Sequence, residues 1–269
     1  MKPIVKWVGG KRKLLEQIRG LVPAHDLYVE PFVGGGAVLF DLEPKRAIIS
    51  DVNTELVNLY KTVREAPREL FETFAIHENT KEYFYAIRAL DLNKTTFAAL
   101  TPVIRASRFL YLNRSAFNGM WRVNAKGQMN VPYATPKNLR LPTLDALENM
   151  SRFLTTVDIR EGDFSALRGM AEPGVFFYLD PPYIPISDSE NFVGYSVDGF
   201  SMERQEALMY FCQEIVAAGA SFVLSNSDCA ASRNLYNGFE IFSVNVKRTV
   251  GGRGSTRKTV GEILVRGGV

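Results

Sequence analysis

The sequence predicts an α/β fold in which a parallel sheet is interrupted by a largely helical, basic insertion. Three observations point there. Short apolar strands at Tyr28-Val29, Arg46–Ser50, Val157–Arg160, Val175–Leu179 and Ser221–Ser225 alternate with helical stretches. From Glu55 to about Met150 helical periodicity takes over instead. Much of that stretch also lacks acids: none lies between Asp91 and Asp145, while Lys94, Arg105, Arg108, Arg114, Arg122, Lys126, Lys137 and Arg140 all do.

The elements follow in order. Leu14, Leu15, Ile18 and Leu21 recur at helical spacing. Tyr28-Val29 is a buried strand ending at Glu30, and Gly34-Gly35-Gly36 turns the chain into a helix through Leu39. A second strand ends at Asp51, ahead of a helix starting near Asn53. Helical patterns then carry Leu56, Leu59, Tyr60 and Val63, then Leu70, Phe71 and Phe74, then Tyr83, Phe84, Ile87 and Leu90. Arg105–Asn113 is a further helix, and the alternation in Trp121–Tyr133 around Ala125-Lys126-Gly127 suggests a β-hairpin. Beyond the strand Ser221–Ser225, Phe239–Val246 forms another, and Glu262–Val265 pairs antiparallel to it. Ser201 is the N-cap of a helix carrying Leu208, Phe211 and Ile215, without a capping box because N3 is Arg204. The sheet domain is therefore drawn at residues 1–55 and 146–269, and the insertion at residues 56–145.

The 269 residues are 46% hydrophobic and 23% charged, ordinary for a chain with a real core. Apolar runs such as Val175–Leu179 and Ile215–Ala218 are too short to cross a bilayer, and Lys11-Arg12-Lys13 interrupts any signal-type stretch. A cytoplasmic protein is expected. Cys212 and Cys229 read as reduced structural thiols, and with only His25 and His77 no metal site is expected. The net charge of +3 is modest, but a second acid-free stretch between Glu240 and Glu262 carries Lys247, Arg248, Arg253, Arg257 and Lys258. Cations segregated in this way form a positive face suited to phosphates; a merely solvated basic surface is the alternative.

Two turns and one loop carry the chemistry. In Glu30-Pro31-Phe32-Val33-Gly34-Gly35-Gly36 a strand delivers a carboxylate into a glycine turn, where open α/β sheets bind cofactors. It is not the dinucleotide fingerprint, because Leu39 replaces the third glycine, and Gly9-Gly10-Lys11 lacks P-loop spacing. Asp51 follows the next strand, where a carboxylate accepts ribose hydroxyls or caps the following helix. The strongest signal is Val175–Leu179 running into Asp180-Pro181-Pro182-Tyr183. The prolines fix φ. An exocyclic amino group on a base is a poor nucleophile because its lone pair is delocalised into the ring. The Asp180 carboxylate and the Pro181 carbonyl are suited to accept both amino hydrogens and favour a pyramidal nitrogen, and Tyr183 to stack on an extruded base.

Over nearly its full length the chain resembles the Dam-type DNA adenine-N6 methyltransferase family. The blocks that carry the resemblance are Lys6-Trp7-Val8-Gly9-Gly10-Lys11, Glu30–Gly36, Ser50-Asp51-Val52-Asn53, Leu112-Asn113-Arg114, Phe117-Asn118-Gly119, Asn130-Val131-Pro132-Tyr133, Asp180–Tyr183, Leu224-Ser225-Asn226 and Gly254-Ser255-Thr256-Arg257-Lys258. The resemblance implies a Rossmann-like S-adenosylmethionine-dependent methyltransferase sheet with a terminal antiparallel strand, and makes the insertion a target-recognition domain. It implies S-adenosyl-L-methionine as donor at Trp7, Lys11, Phe32, Gly34, Gly36, Asp51 and Asp180, with catalysis by Asp180, Pro181 and Tyr183. It implies double-stranded DNA as partner, a flipped adenine in GATC as substrate, and an interface of Lys6, Phe117, Asn118, Met120, Arg122, Asn124, Asn130 and Pro132. Arg122 suits bidentate donation to guanine, and Phe117 suits a wedge into the base stack. Residues 184–200 are expected to form a flap over the flipped base, and the protein to work as a monomer.

The sequence departs from the family at Met120-Trp121 and over residues 134–140, which bears on target preference. Methyl transfer to RNA or protein amide groups, methylation of cytosine N4, and a DNA-binding regulator without catalysis are the competing readings. Cytosine-C5 chemistry is excluded because no Pro-Cys nucleophile occurs.

Overall fold

The computed structural model describes residues 1–139, 142–186, 200–246 and 260–268. Along the chain these form α1 (Leu15–Leu21), β1 (Leu27–Glu30), α2 (Leu39–Leu42), β2 (Ala47–Asp51), α3 (Thr54–Glu65), α4 (Pro67–Ala75), α5 (Lys81–Ala89), α6 (Lys94–Ala98), α7 (Pro102–Ser115) and α8 (Leu144–Leu154). Then come β3 (Val157–Glu161), β4 (Val175–Leu179), α9 (Met202–Ala217), β5 (Ser221–Ser227), α10 (Ala230–Leu235), β6 (Glu240–Val246) and β7 (Val260–Gly267). The strands form one mixed sheet in the order β3-β2-β1-β4-β5-β7-β6. Strand β1 is parallel to both β2 and β4, and β4 is parallel to β5. Strand β7 is antiparallel to β5 as well as to β6, so it enters between them. This is the Rossmann-like sheet with a terminal antiparallel strand that the sequence predicts. No helix among the described residues is long and apolar enough to cross a membrane.

The chain divides into two compact units, Met1–Gly10, Gly34–Glu43 and Ser50–Gly162 in the first, and Lys11–Val33, Pro44–Ile49 and Asp163–Val269 in the second. The second unit holds the sheet core. Strand β4 is buried at every position, as a central parallel strand must be, and Phe177 meets Phe211 of α9 edge-on at 5.5 Å. Because β1 has β2 on one side and β4 on the other, the carboxyl ends of β1 and β4 flank the point where strand order reverses. Open sheets bind ligands there.

The first unit is mainly helical and also contains β3. Helix α7 packs against α3, α4 and α5, and α8 against α3 and α4. From Ala106 to Asn113 every residue of α7 is buried, as expected of a helix enclosed on all sides. One consequence corrects the basic-face expectation. Arg108 is 1% exposed, pairs with Asp91 at 2.8 Å, and donates to the carbonyls of Ile87 and Arg88. Arg105 pairs with Glu55, and Arg114 donates to the Ile4 carbonyl. These three cations are consumed inside the unit, whereas Lys94, Arg122, Lys126 and Lys137 are exposed. Removing Asp91 would leave Arg108 buried and unpaired, at a cost of about 3–5 kcal/mol.

Other expectations change in detail. The glycine turn leads not into a helix through Leu39 but into a four-residue helix that begins there, because Gly34 and Gly36 hold left-handed φ of 45° and 67°. The residue capping α3 is Asn53, whose side chain accepts from the Leu56 N–H, so Asp51 is not the cap. The hairpin is reduced to isolated bridges, Val123 with Met129 and Ala116 with Tyr133. Backbone bonds from Asn124 N–H to the Gln128 carbonyl and from Asn130 N–H to the Arg122 carbonyl flank the Val123 bridge, and the Asn124 side chain closes the tip by accepting from the N–H groups of Lys126 and Gln128. Ser201 caps α9 as expected, by accepting from the Arg204 N–H. Arg140, Lys247, Arg248, the block Gly254–Lys258 and positions 187–199 of the expected flap lie outside the described residues.

Candidate active site

In the second unit the candidate residues gather around Asp180, one residue beyond β4. Its Oδ1 takes an ion pair from Lys11 Nζ at 2.8 Å and a hydrogen bond from Ser225 Oγ at 2.8 Å. Among the described residues Oδ2 accepts no hydrogen bond. Lys11 is 5% exposed and its Nζ also stands 4.8 Å from the Tyr183 ring centroid. Tyr183 donates its hydroxyl to Glu262 Oε2 at 2.8 Å. Burial raises the Asp180 pKa; Lys11 and Ser225 oppose that, and Glu262 adds to it. The net direction is upward, so ionisation of this carboxyl depends on Lys11. The hydroxyls of Tyr28, Tyr178 and Tyr183 are pushed far above their ordinary range, chiefly by burial, and stay protonated. Phe32 packs against Phe164 at 5.6 Å and Phe200 at 5.9 Å.

The loop is held from below. Gln205 of α9 donates to the Pro182 carbonyl at 2.7 Å and accepts from Asn226 Nδ2 at 3.2 Å. Asn226 Oδ1 accepts from the N–H of Ile184 at 3.0 Å, and Ser227 donates to the Ile184 carbonyl. Gln205 and Asn226 are 2% and 0% exposed, and their amides bracket the loop. Among the described residues the Pro181 carbonyl accepts no hydrogen bond. The site therefore presents two oriented acceptors, Asp180 Oδ2 and the Pro181 oxygen, on a rigid backbone. That pair suits an amino group with two hydrogens to place.

In the first unit Asp51 organises the glycine turn. Its Oδ2 accepts from the Gly34 N–H at 3.0 Å and its Oδ1 from the Asn53 N–H at 2.9 Å. Burial raises its pKa against these backbone donors. The Tyr60 hydroxyl donates to the Gly34 carbonyl at 2.8 Å. A Cβ on Gly34 would stand 2.7 Å from Trp7 Cδ1, so the turn and the indole are fitted to each other. Trp7 continues into Phe109 at 6.3 Å, and Phe109 into Trp121 at 4.2 Å.

The first unit also carries the exposed residues expected at DNA. Phe117 is 51% exposed, and its N–H donates to the Pro132 carbonyl at 2.9 Å. Asn118 adopts a left-handed φ of 54°, and Lys6 is exposed. Arg122 is aimed by its Nε bond to Asn130 Oδ1 at 2.8 Å. Met120 is half-buried, and the Asn124 side chain is engaged within its own turn. Beneath them Asn113, wholly buried, bonds to the backbone of Lys6 and of Gly119.

Asn113, Gln205, Tyr60 and Glu262 received no role from sequence reasoning. The available signal was a polar residue at an apolar position, as for Asn113 directly after Phe109-Leu110-Tyr111-Leu112 and Glu262 ahead of Ile263-Leu264-Val265.

Comparison with known proteins agrees with this chemistry. Type II methyltransferase M1.LlaDCHI of Lactococcus lactis subsp. cremoris is 38% identical over 98% of this chain and 95% of its own length. Type II methyltransferase M.MjaIII of Methanocaldococcus jannaschii is 36% identical over 98% of both chains. DNA adenine methylase of Escherichia coli is 32% identical over 98% of this chain and 94% of its own. Residues 7–250 match the family described as D12 class N6 adenine-specific DNA methyltransferase, and the chain belongs to that family.

Proposed function

We propose that the protein transfers a methyl group from S-adenosyl-L-methionine to N6 of a flipped-out adenine in double-stranded GATC. The observation that carries this reading is the clamped acceptor pair, Asp180 Oδ2 and the Pro181 carbonyl, on a loop fixed by Gln205 and Asn226. Asp180 and Pro181 accept the two amino hydrogens and draw the N6 lone pair out of conjugation. Lys11 and Ser225 occupy Oδ1, which leaves Oδ2 for substrate and keeps the carboxyl ionised. Tyr183 stacks on the adenine, its ring tethered through Glu262.

The donor fits the residues present. Asp51 is a half-buried carboxylate whose oxygens retain acceptor capacity for ribose hydroxyls, and the side chains crowded against Gly34 and Gly36 exclude anything bulkier than glycine at the turn. When bound, the donor supplies an electrophilic sulfonium methyl. In the first unit Trp7, Gly34, Gly36 and Asp51 are assigned to it, and in the second Lys11, Phe32 and Asp180.

DNA is assigned to the 56–145 segment as a target-recognition domain, together with Lys6. Phe117 wedges into the stack, and Asn118 and Met120 lie at the same interface. Arg122, steadied by Asn130, reads a guanine, while Asn124 and Pro132 shape the reading arm. Two of the relatives are Type II methyltransferases, so the target sequence is the element to test. DNA treated with the protein and donor is digested with methylation-sensitive nucleases across GATC and its single-base variants. Resistance confined to GATC is expected. Resistance only at another site would overturn the specificity, and methyl transfer to structured RNA but to no duplex DNA would overturn the substrate.

A further inference from the structure

We infer that Asn113 is a positioning residue that seats Lys6 and the Phe117–Gly119 turn as one rigid element and thereby sets sequence discrimination. The inference rests on the proposed reading that Lys6 and this turn meet DNA. Asn113 lies in α7 at 0% exposure, and its amide makes hydrogen bonds only to backbone. Oδ1 accepts from the Lys6 N–H at 2.9 Å, and Nδ2 donates to the Lys6 carbonyl at 2.8 Å and the Gly119 carbonyl at 2.9 Å. The amide thus pairs with both polar groups of one residue, as a neighbouring strand would, and ties that residue to a second loop. Both amide hydrogens are used, so none remains for a ligand.

The contact between the two loops is equally tight. Gly119 sits at a φ of +66°, and a Cβ there would stand 2.4 Å from Lys6 Cδ and 2.6 Å from Lys6 Cβ. The lysine stem therefore lies directly on the glycine, and its exposed ammonium departs from a fixed base. Trp7, the next residue, covers Gly34 and Gly35. One buried amide therefore places the lysine assigned to DNA, the wedge turn and the start of the wall assigned to the donor. A polar group that only supported the helix would not join both loops.

Asn113→Asp tests this. It keeps the size and the acceptor for the Lys6 N–H but removes both donations. Single-turnover methylation rates are measured on a GATC duplex and on its single-base variants, alongside the melting temperature. The expected result is a loss of about tenfold in the ratio of cognate to variant rates. In a Lys6→Met background Asn113→Asp should change that ratio no further, because the two act as one unit. A variant that slows every duplex by the same factor and leaves the ratio intact would overturn the inference. If Asn113→Asp does not fold, Gly119→Ala crowds the same lysine from the other side, and an unchanged ratio there overturns the inference equally. Unaltered protein inert on every duplex would defeat both this and the functional reading. Unaltered protein that methylates another sequence defeats only the GATC assignment, and the ratio is then read at that sequence.

Discussion

The Asp180–Tyr183 loop leaves a strand buried at every position, and buried amides hold the Pro182 carbonyl and the Ile184 N–H. The arm from Phe117 to Pro132 stands largely in solvent, with isolated bridges and turns closed by its own side chains. The first arrangement ties the loop backbone to buried side chains on both sides of the acceptors, which suits amino-group chemistry, since small misplacement costs rate steeply. The second leaves Phe117 and Arg122 exposed and fastens the arm from beneath at separate places, Gly119 to Asn113, Met129 to Asp91 and Val131 to Arg88. Under the proposed function, chemistry is assigned to the ends of buried strands, and reading to exposed turns tethered from beneath.

The largest expected effect breaks the chemical half alone. Asp180→Asn retains an oxygen for Lys11 and Ser225 but removes the charge, and kcat should fall by about 10³-fold, while a mobility-shift assay still detects DNA binding. Because burial holds the Asp180 pKa above its ordinary range, the acid limb of kcat in the unaltered enzyme should lie above that range too. Next, Gln205→Leu releases the Pro182 carbonyl without touching an acceptor; kcat should fall roughly 100-fold with KM for DNA little changed. A rise in KM at constant kcat would place Gln205 in binding instead.

Arg122→Ala probes the reading half. It should lower discrimination at one base pair by about 1–3 kcal/mol and leave the folded state intact, read as rates on single-base variant duplexes. The smallest effect concerns the helical core on which the arm rests. His77 stacks on Tyr111 at 4.5 Å, bonds to Ser107 and Tyr83, and has its pKa lowered from 6.5 to about 4, chiefly by burial. Between those values the unfolded chain binds a proton that the folded chain refuses. The contribution is therefore fully present above 6.5 and is lost as pH falls towards about 4. His77→Phe keeps the stack without titrating, so its melting temperature should drop by roughly a few degrees less than that of the unaltered protein between pH 7 and pH 5.

Much of this was legible in the amino-acid sequence for local reasons. A run such as Val175–Leu179 is buried on both faces wherever it folds, prolines stiffen whatever follows, and the Gly34–Gly36 turn reports a tight approach of backbone. Those signals sufficed for the sheet, the position of Asp180 at a strand end, and the family resemblance. Other assignments failed for an equally physical reason. Arg108 reads as a surface cation until Asp91 and two carbonyls from α5 are found around it. The alternation in Trp121–Tyr133 promised a longer ladder than forms: the hairpin is present only as the Val123–Met129 bridge with its flanking backbone bonds, and the Asn124 side chain closes the tip.

What the sequence determined by itself, then, is the order of the strands along the chain and the chemistry at the ends of two of them, because burial pattern and turn type act over a few residues. Tertiary structure alone decided which polar groups are spent on one another. Asn113 meets Lys6 across 107 residues, Asn226 meets Ile184 across 42, and β7 enters between β5 and β6. Such pairings cost chain entropy that only the assembled core offsets, and no local window of sequence reports them.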